Sequence, residues 1–420
     1  MKASISKSTI GGSIVAPSSK SCTIRALICA ALADGRSEII NPLGSDDTEA
    51  CQDILGKLGV RIEQSDSSWL VTGGNLHQPD SDLNCRESAA TQRFMTAVCS
   101  IIPGICRLIS APSLARRPVQ PLILRLQQIG VKCNYNETDS SITVSGGSLK
   151  GGLAELPGNI SSQYVSALLF ISPFAEEGMT IRLTTPLESR PYVLMTLDCL
   201  KKFGIDVKAS GEMKEYRTAR QTYEPAKYTV EGDWSSASYL LAAGAIAGDI
   251  NIQGLNPESL QGDKVIIDFL ENMGASVEIS GEGISVRESA LKAVKADLTD
   301  CIDLLPTMAA LAAMAEGTSE FTGIARARIK ESNRVSAVKA GLEKAGISVI
   351  EEKDKLIITG GRINSAVIHS NNDHRIAMAF SLLGLKAVNI TIENAECVAK
   401  TFPEFWDILK SIGGKVQTNG

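Results

Sequence analysis

The stretch Leu58-Gly59-Val60 ends one predicted amphipathic helix and begins one short strand of alternating apolar residues. Glycine suits the end of a helix because it adopts a left-handed backbone conformation there without strain. Five further stretches have the same form: Ile129-Gly130-Val131, Phe203-Gly204-Ile205, Met273-Gly274-Ala275, Ala345-Gly346-Ile347 and Ile412-Gly413-Gly414. Because these glycines recur about every 70 residues, the pattern predicts six repeats of one supersecondary unit.

Each repeat also contains an earlier helix, which begins with small or polar residues and continues into apolar ones. Ser, Asp and Asn at such places accept hydrogen bonds from the free amides of a first helical turn. The six starts are Ser18-Ser19-Lys20-Ser21, Ser88-Ala89-Ala90-Thr91, Ser161-Ser162-Gln163, Ser235-Ser236, Asp303 and Asn372-Asp373. Strand-like runs such as Leu356-Ile357-Ile358 lie between the helices. The pattern predicts an α/β fold with the order β-α-β-α-β-β in each repeat.

The chain of 420 residues is too long for one ordinary hydrophobic core. We therefore expect two similar domains, each of three βαβαββ repeats. The first is predicted to span residues 12–229, and the second to combine residues 1–11 with residues 230–420. The strand Tyr228-Thr229-Val230 marks one crossing between them, and Gly11-Gly12 marks the other.

Composition excludes several classes of function. A net charge of −5 argues against a basic nucleic-acid-binding surface. The ten cysteines include no CxxC pair and are expected to be reduced, buried thiols. His77, His369 and His374 are too scattered for a metal site, and no apolar run has the length of a membrane span. We expect a cytoplasmic protein without nucleic-acid, membrane or metal partners.

Charged residues recur at one structural place in the repeats, the amino end of a helix. That end has free amides and a partial positive charge, so it binds anions. The first helices begin at Lys20, Ala89, Gln163, Ser236, Asp303 and Arg375, and second helices at Arg117, Ser189-Arg190, Lys330-Glu331 with Arg334, and Lys400. Several such ends in one cleft would form a pocket for phosphate and carboxylate groups. The alternative, that each is a solvent-exposed helix start, explains one such cation better than a whole set.

Acids are rarer than cations at these helix starts. Asp373 suits an N-cap, which leaves Asp303 and Glu331 as candidate proton carriers in a basic pocket. Nearby cations would keep both ionised, as a proton acceptor requires. If the segment around them is helical, Lys330 and Arg334 lie on one face with Glu331 beside them.

Seven motifs resemble the 5-enolpyruvylshikimate-3-phosphate synthases, a branch of the enolpyruvyl transferase family. They are Ala16-Pro17-Ser18-Ser19-Lys20-Ser21 with Arg25, Gly158-Asn159-Ile160-Ser161-Ser162-Gln163-Tyr164, Ser189-Arg190-Pro191-Tyr192, Val230-Glu231-Gly232-Asp233 with Ser235-Ser236-Ala237-Ser238-Tyr239, Arg328-Ile329-Lys330-Glu331-Ser332 with Arg334, Asn372-Asp373-His374-Arg375, and Lys400-Thr401-Phe402-Pro403. They follow one another in the expected order across almost the whole chain. The resemblance implies an inside-out α/β barrel in two domains, which close on ligands bound in the cleft between them.

The resemblance implies transfer of the enolpyruvyl group of phosphoenolpyruvate to the 5-hydroxyl of shikimate 3-phosphate. Phosphate leaves by addition and elimination, in the shikimate pathway of chorismate and aromatic amino acid biosynthesis. It also implies a monomer that needs no metal or organic cofactor. One alternative is the sister transferase acting on UDP-N-acetylglucosamine, which usually has a Cys in a loop that corresponds to Ser110 to Arg117, where this chain has none. The other is a non-catalytic repeat scaffold, which would have lost its helix-start charges.

The resemblance further implies a role for individual residues. Asp303 would take the proton of the 5-hydroxyl with help from Lys330, Glu331 would manage the proton at the methylene carbon, and Lys20 would complete the catalytic set. Phosphoenolpyruvate would be bound by Lys20, Arg117, Gln163, Arg334, Arg375 and Lys400, next to Ala89. Shikimate 3-phosphate would be bound by Lys20, Ser21, Arg25, Ser161, Ser162, Gln163, Ser189, Tyr192, Asp303, Arg326 and Lys330.

The chain departs from the family pattern at two places. The family usually has an Asn-x-Gly-Thr run before an Arg, whereas this chain has Glu87-Ser88-Ala89-Ala90-Thr91-Gln92-Arg93. Ala89 therefore occupies the glycine place, and its methyl group is expected to weaken binding of the phosphonate inhibitor glyphosate, and of phosphoenolpyruvate too. Arg326 and Ala327 also differ from residues that the family often has, which affects the hydroxyl-side contacts of shikimate.

Overall fold

A computed structural model of the chain describes residues 1–387 and 389–419. Within these residues the strands form six four-stranded sheets. In every sheet one pair of strands at an edge runs parallel, and the remaining neighbours run antiparallel. This is the strand arrangement that a βαβαββ repeat requires, because a helix precedes the inner strand of the parallel pair and two antiparallel strands complete the sheet. The predicted α/β repeat architecture is confirmed.

Residues Met1–Pro17 and Glu231–Gly420 form one compact unit, called here the terminal unit. One of its described sheets has the strand order Ala366–His369, Ile390–Glu393, Lys2–Ser6, Lys415–Asn419. A second has the order Ser276–Ser280, Gly283–Arg287, Gly248–Gln253, Ile10–Val15. The third has the order Lys295–Asp297, Thr318–Thr322, Lys355–Thr359, Ser348–Glu351. Its α-helices are Trp234–Ala247, Ile266–Asn272, Leu305–Met314, Arg334–Lys344, His374–Gly384 and Phe405–Ser411. Its 3-10 turns are Gly262–Val265, Ile302–Leu304, Ala325–Ile329 and Ala395–Lys400.

Residues Ser18–Val230 form the other compact unit, called here the central unit. Its first sheet has the strand order Lys227–Thr229, Gly35–Ile40, Ser68–Gly73, Arg61–Gln64. Its second has the order Leu83–Asn84, Gly104–Ile109, Ser141–Gly146, Lys132–Asn136. Its third has the order Gly152–Leu156, Met179–Leu183, Glu215–Thr218, Lys208–Ala209. Its α-helices are Lys20–Leu32, Asp46–Lys57, Ala89–Val98, Pro112–Ala115, Gln120–Gln128, Ser162–Ile171 and Arg190–Lys202, and its 3-10 turns are Cys99–Ile101 and Ser172–Phe174.

The chain passes between the two units after Pro17 and after Val230. The sequence pattern places the first crossing earlier, at Gly11-Gly12, and that position is wrong. The reason is strand pairing: Ile10–Val15 runs parallel to Gly248–Gln253 and so belongs to the terminal unit. Residues Lys2–Ser6 form a separate strand of the same unit, which pairs with Ile390–Glu393.

The glycines that defined the repeats all have the backbone conformation expected at a helix end. Their φ angles lie between 80° at Gly204 and 102° at Gly413. Each follows the carboxyl end of the second helix of its repeat, as Gly59 follows Asp46–Lys57. A residue with a Cβ is strained at these angles, so the recurring glycine is a backbone requirement of the repeat.

The first helix of each repeat is almost wholly buried. In the terminal unit, every residue of helix Trp234–Ala247 and every residue of helix His374–Gly384 is buried. Such helices contact solvent or ligand mainly at their ends, so the polar residues at their amino ends are candidates for binding. No helix among the described residues combines the length and apolar character needed to cross a membrane.

Gly384 allows helix His374–Gly384 to lie directly against strand Lys2–Ser6. A Cβ at this position would lie 2.6 Å from Cβ and 2.9 Å from the carbonyl oxygen of Ile5. We predict that Gly384→Ala lowers the free energy of unfolding by about 1–3 kcal/mol, because the helix must move away from the sheet. Urea denaturation measures this change.

Gly56 provides the contrast, because it lies inside helix Asp46–Lys57 and a Cβ added to it would have no atom within 4 Å. Gly56→Ala should raise the free energy of unfolding by about 0.5–1 kcal/mol through helix propensity alone. Equal effects of the two substitutions would contradict the packing argument for Gly384.

Candidate active site

Asp303 lies at the centre of a buried group of charges in the terminal unit. It belongs to the 3-10 turn Ile302–Leu304, immediately before helix Leu305–Met314, and is 9% exposed. Its carboxylate accepts hydrogen bonds from Arg334 Nη1 at 2.6 Å and Arg375 Nη2 at 3.2 Å, and it lies 3.4 Å from Lys330 Nζ. Burial opposes its charge, but Arg375, Lys330 and Arg334 together hold the pKa of Asp303 well below its ordinary value. The carboxylate is therefore ionised, as the sequence predicted.

Arg334 joins the acids of this group to one another. The side chain is 1% exposed, and its guanidinium donates to Asp303, to Glu331 and, at 2.8 Å from Nε, to Asp373. Despite burial, these carboxylates, Asp373 first, raise the pKa of Arg334 above its ordinary value. We call Asp303, Lys330, Glu331, Arg334, Asp373 and Arg375 the Asp303 cluster.

Lys330 and Glu331 lie in the connection between the turn Ala325–Ile329 and helix Arg334–Lys344. The helix begins only at Arg334, because Asn333 caps it by accepting from Ser336 N. The segment from Lys330 to Asn333 is therefore not helical, so the condition under which Lys330 and Arg334 would share one helical face is not met. Burial lowers the pKa of Lys330 to about 8, although the neighbouring Asp303 carboxylate opposes this shift.

Arg375 follows the cap Asp373 in the first turn of helix His374–Gly384. Its Nη1 donates to Tyr239 Oη at 3.4 Å, which connects it to helix Trp234–Ala247. The amino ends of helices Leu305–Met314 and His374–Gly384 therefore meet in the Asp303 cluster, and Tyr239 of helix Trp234–Ala247 contacts it. The remaining predicted residues of this unit are also buried: Lys400 ends the turn Ala395–Lys400, and Arg326 donates to the Thr299 carbonyl oxygen at 2.7 Å.

In the central unit, Lys20 is the first residue of helix Lys20–Leu32, which Ser19 caps. Its Nζ lies 2.9 Å from Oδ2 of Asp47, in the first turn of helix Asp46–Lys57. Thr91 Oγ1 donates to the carbonyl oxygen of Asp47 at 3.3 Å. Ala89, two residues before Thr91, is buried at the start of its helix. The helix that begins at Ala89 is therefore joined to the start of helix Asp46–Lys57.

Arg93 connects two further predicted residues of the central unit. Its Nη1 donates to Ser161 Oγ at 3.2 Å and to Gln163 Oε1 at 2.6 Å, at the start of helix Ser162–Ile171. Its Nη2 donates to the carbonyl oxygen of Pro118, at 3.2 Å. Arg117 precedes that proline, so Arg93 holds the Arg117 turn close to the helix start.

The other predicted residues of the central unit lie around Arg25. The buried guanidinium donates to Thr196 Oγ1 at 2.9 Å, to the Ser21 carbonyl oxygen at 2.9 Å and to the Tyr192 carbonyl oxygen at 3.0 Å. Ser189 is buried and left-handed, with φ of 53°, at the start of helix Arg190–Lys202. Arg25 therefore connects the start of the first helix with the start of the last helix in this unit.

Comparisons with known proteins show the family of the chain. The family model described as EPSP synthase (3-phosphoshikimate 1-carboxyvinyltransferase) matches residues 6–409. The chain belongs to the EPSP synthase family. It is 50% identical over 419 residues to the 3-phosphoshikimate 1-carboxyvinyltransferase of Dehalococcoides mccartyi, with 99% of each chain covered. It is 40% identical to the protein of that name from Methanocaldococcus jannaschii, over 97% of this chain and 96% of that one.

Solved structures of the family have the same fold. The EPSP synthase of Acinetobacter baumannii superposes with a TM-score of 0.83 at 26% identity, covering 99% of this chain and 100% of that chain. The prediction of an enolpyruvyl transferase-like α/β fold is therefore confirmed.

Two expected helix starts differ from the sequence interpretation. The cap of helix Trp234–Ala247 is Asp233, which accepts from Ser236 N at 2.7 Å, so Ser235 and Ser236 lie inside the first turn. Asp303 is not a cap, because its carboxylate is directed to the cations of the Asp303 cluster.

Among the described residues, no group of three or more His, Cys, Asp or Glu is placed to hold a metal ion.

Three residues that contact predicted residues, Asp47, Arg93 and Asp263, are not predicted from the sequence. Asp47 and Asp263 begin the second helices of their repeats, the place already assigned to Arg117 and Lys330, so the repeat pattern contained the signal. Arg93 lies within a quoted motif, but its contact with Gln163 is 70 residues away in sequence. No local pattern reveals that contact.

Arg334→Ala should destabilise the protein strongly, because it leaves Asp303, Glu331 and Asp373 without their shared cation. Breaking a buried ion pair by removing one partner costs about 3–5 kcal/mol. The control is Arg287→Ala, which removes a half-exposed arginine from surface ion pairs with Asp249 and Glu278. Exposed pairs contribute about 0–1 kcal/mol. Urea unfolding that gives Arg334→Ala no larger an effect than Arg287→Ala would contradict the organising role of Arg334.

Proposed function

We propose that the protein transfers the enolpyruvyl group of phosphoenolpyruvate to the 5-hydroxyl of shikimate 3-phosphate and releases phosphate. The observation that carries the proposal is the Asp303 carboxylate, which is buried, ionised and surrounded by Arg334, Arg375 and Lys330. Such a group accepts a proton in surroundings that favour anionic substrates. The relatives named above carry the name of the same reaction.

Phosphoenolpyruvate is assigned to the cations at the helix starts. It carries a phosphate and a carboxylate, both of which suit helix amino ends and guanidinium groups. The assigned residues are Lys20, Arg117, Gln163, Arg334, Arg375 and Lys400, next to Ala89. Arg334 uses most of its N–H groups on Asp303, Glu331 and Asp373, so its contribution to the substrate is one remaining N–H of Nη1.

Shikimate 3-phosphate is assigned mainly to hydroxyl groups of the central unit. The assigned residues are Lys20, Ser21, Arg25, Ser161, Ser162, Gln163, Ser189 and Tyr192, with Asp303, Arg326 and Lys330 of the terminal unit. Ser161 and Ser162 stand at a helix start, where free amides bind a phosphate. Arg25 supplies charge and also orders Ser21 and Tyr192 through their carbonyl oxygens.

The reaction requires two proton transfers. In the addition step, the oxygen of the 5-hydroxyl bonds to C2 of phosphoenolpyruvate, Asp303 takes the hydroxyl proton, and the methylene carbon gains a proton that reaches it from solvent through Glu331. In the elimination step, Glu331 removes a proton from the new methyl group and returns it to solvent, and phosphate leaves with the electrons of its C–O bond and takes the proton that Asp303 accepted. When Arg375 and Arg334 bind substrate anions, they hold Asp303 less strongly, which raises its proton affinity.

Neither unit alone carries the full set of assigned residues. Lys20 and Ser161 belong to the central unit, whereas Asp303 and Arg375 belong to the terminal unit. We therefore propose that residues of both units bind the same pair of substrates, and that substrate binding excludes water from the reaction.

We also propose that the enzyme acts as a cytoplasmic monomer. The cysteines are free thiols throughout the described residues, as a reducing compartment favours. Every residue assigned above comes from one chain, so catalysis needs no second copy.

Phosphate release tests the reaction. We expect release only when phosphoenolpyruvate and shikimate 3-phosphate are both present, because the leaving group departs from an adduct of the two. Asp303→Asn keeps the size of the side chain but cannot accept the proton, so turnover should fall by about 10²–10⁴-fold. Binding of shikimate 3-phosphate by this variant, measured by calorimetry, should remain. Phosphate release without shikimate 3-phosphate, or normal turnover of Asp303→Asn, would contradict the proposal.

A substitution at Ala89 tests whether this residue lies next to the binding site that is assigned to phosphoenolpyruvate. We predict that Ala89→Gly tightens inhibition by glyphosate about 5- to 150-fold, because removal of an overlapping methyl group is worth about 1–3 kcal/mol. The matched control is Ala90→Gly, which loses the same helix propensity one residue away. Inhibition constants that respond equally to both substitutions would place Ala89 away from the inhibitor.

A further inference from the structure

Asp263 occupies a position that the repeats mark as functional. It lies in the turn Gly262–Val265, just before helix Ile266–Asn272. This is the start of the second helix of its repeat. The equivalent place holds Lys330 and Glu331 in the next repeat and Lys400 in the last one. No role is assigned to Asp263 in the reaction proposed above.

The surroundings of Asp263 differ sharply from those of Asp303. The side chain is 2% exposed, and Ser235 Oγ donates a hydrogen bond to Oδ2. Within residues 1–387 and 389–419, Oδ1 has no hydrogen-bond partner. An ionised carboxylate buried with a single donor is costly, whereas a neutral carboxyl group is much less so. Geometry alone therefore favours a proton on Asp263.

The charges that face Asp263 come from several elements. Asp303 and Asp233 repel its negative charge, and Arg375 attracts it. The negative charge of Asp263 in turn helps to raise the pKa of the Cys301 thiol. Burial is the largest influence and Asp303 the next, and they raise the pKa of Asp263 to about 7 against the opposing effects of Arg375 and Ser235. Two neighbouring acids thus have opposite protonation states below neutral pH. Such a separation commonly accompanies different roles for two acids in one site.

We propose that Asp263 is a positioning residue that carries a proton while Asp303 is ionised, and that loss of this proton weakens the hold of Arg375 on an anionic substrate. A neutral Asp263 leaves the charge of Arg375 available to phosphoenolpyruvate. An ionised Asp263 competes with that substrate for the same cation. The second part rests on the proposed function, which assigns Arg375 to phosphoenolpyruvate, whereas the protonation state does not.

Infrared difference spectroscopy tests the protonation state without any substrate. The spectrum of the wild-type protein minus that of Asp263→Asn should contain the carbonyl band of a protonated carboxylic acid at about pH 5 and lose it by about pH 9. The matched control is Asp268→Asn, which removes an exposed aspartate five residues along the same segment. An ionised Asp263 at about pH 5 would overturn the proposal.

Kinetics test the positioning role. In the wild-type enzyme and in Asp268→Asn, KM for phosphoenolpyruvate should rise about 3- to 10-fold as the pH increases from about 6 to about 8, because a nearby charge appears. Asp263→Asn should lack this rise and keep its activity below neutral pH. A parallel rise in Asp263→Asn, or loss of activity at every pH in a folded variant, would overturn the role.

Ser235→Ala gives a second readout if Asp263→Asn does not fold. Ser235 lowers the pKa of Asp263 by its hydrogen bond, so its removal should shift both the infrared transition and the rise in KM to higher pH. An unshifted transition would contradict the proposal. If the protein does not turn over phosphoenolpyruvate at all, the proposed function fails while the infrared titration still decides the state of Asp263.

Discussion

The ion pairs of Arg334 with Asp303, Glu331 and Asp373 are the constraint on which the rest of the site depends. Burying so many charges is unfavourable unless each has a partner in good geometry. Arg334 meets this condition by donating from all three nitrogens of its guanidinium. Lys330 and Arg375 then complete the surroundings of Asp303 from two other elements. The result is a set of charges fixed in place before substrate arrives, as electrostatic catalysis requires.

The repeat architecture explains how these charges come together. Each repeat buries its first helix, so that its amino end is the polar part left available for binding. In the terminal unit, Arg375 connects the starts of Leu305–Met314 and His374–Gly384 by its bond to Asp303, and it also contacts Tyr239 in the second turn of Trp234–Ala247. Evolution of function in such a fold needs changes mainly at the helix starts, while the core of each repeat stays the same.

Local sequence patterns predicted the helix ends and helix caps, because these depend on the backbone and side chains of a few neighbouring residues. The glycines at helix ends require a positive φ, and the capping residues at Ser19, Ser88 and Ser161 require a free hydroxyl, so both are visible in the sequence. The crossing at Pro17 was missed because it depends on the pairing of Ile10–Val15 with a strand more than 200 residues away. The proposed protonation of Asp263 could not be predicted from the sequence either, because it depends on burial and on the lack of a partner for Oδ1 among the described residues.

The most direct measurement of the central claim is a crystal structure of the protein with shikimate 3-phosphate bound. The account predicts the 5-hydroxyl oxygen about 2.6–3.2 Å from the carboxylate of Asp303, the distance of a productive proton transfer. It also predicts the 3-phosphate at the start of helix Ser162–Ile171. A ligand whose 5-hydroxyl contacts another acid, with Asp303 bound only to Arg334, Arg375 and Lys330, would contradict it.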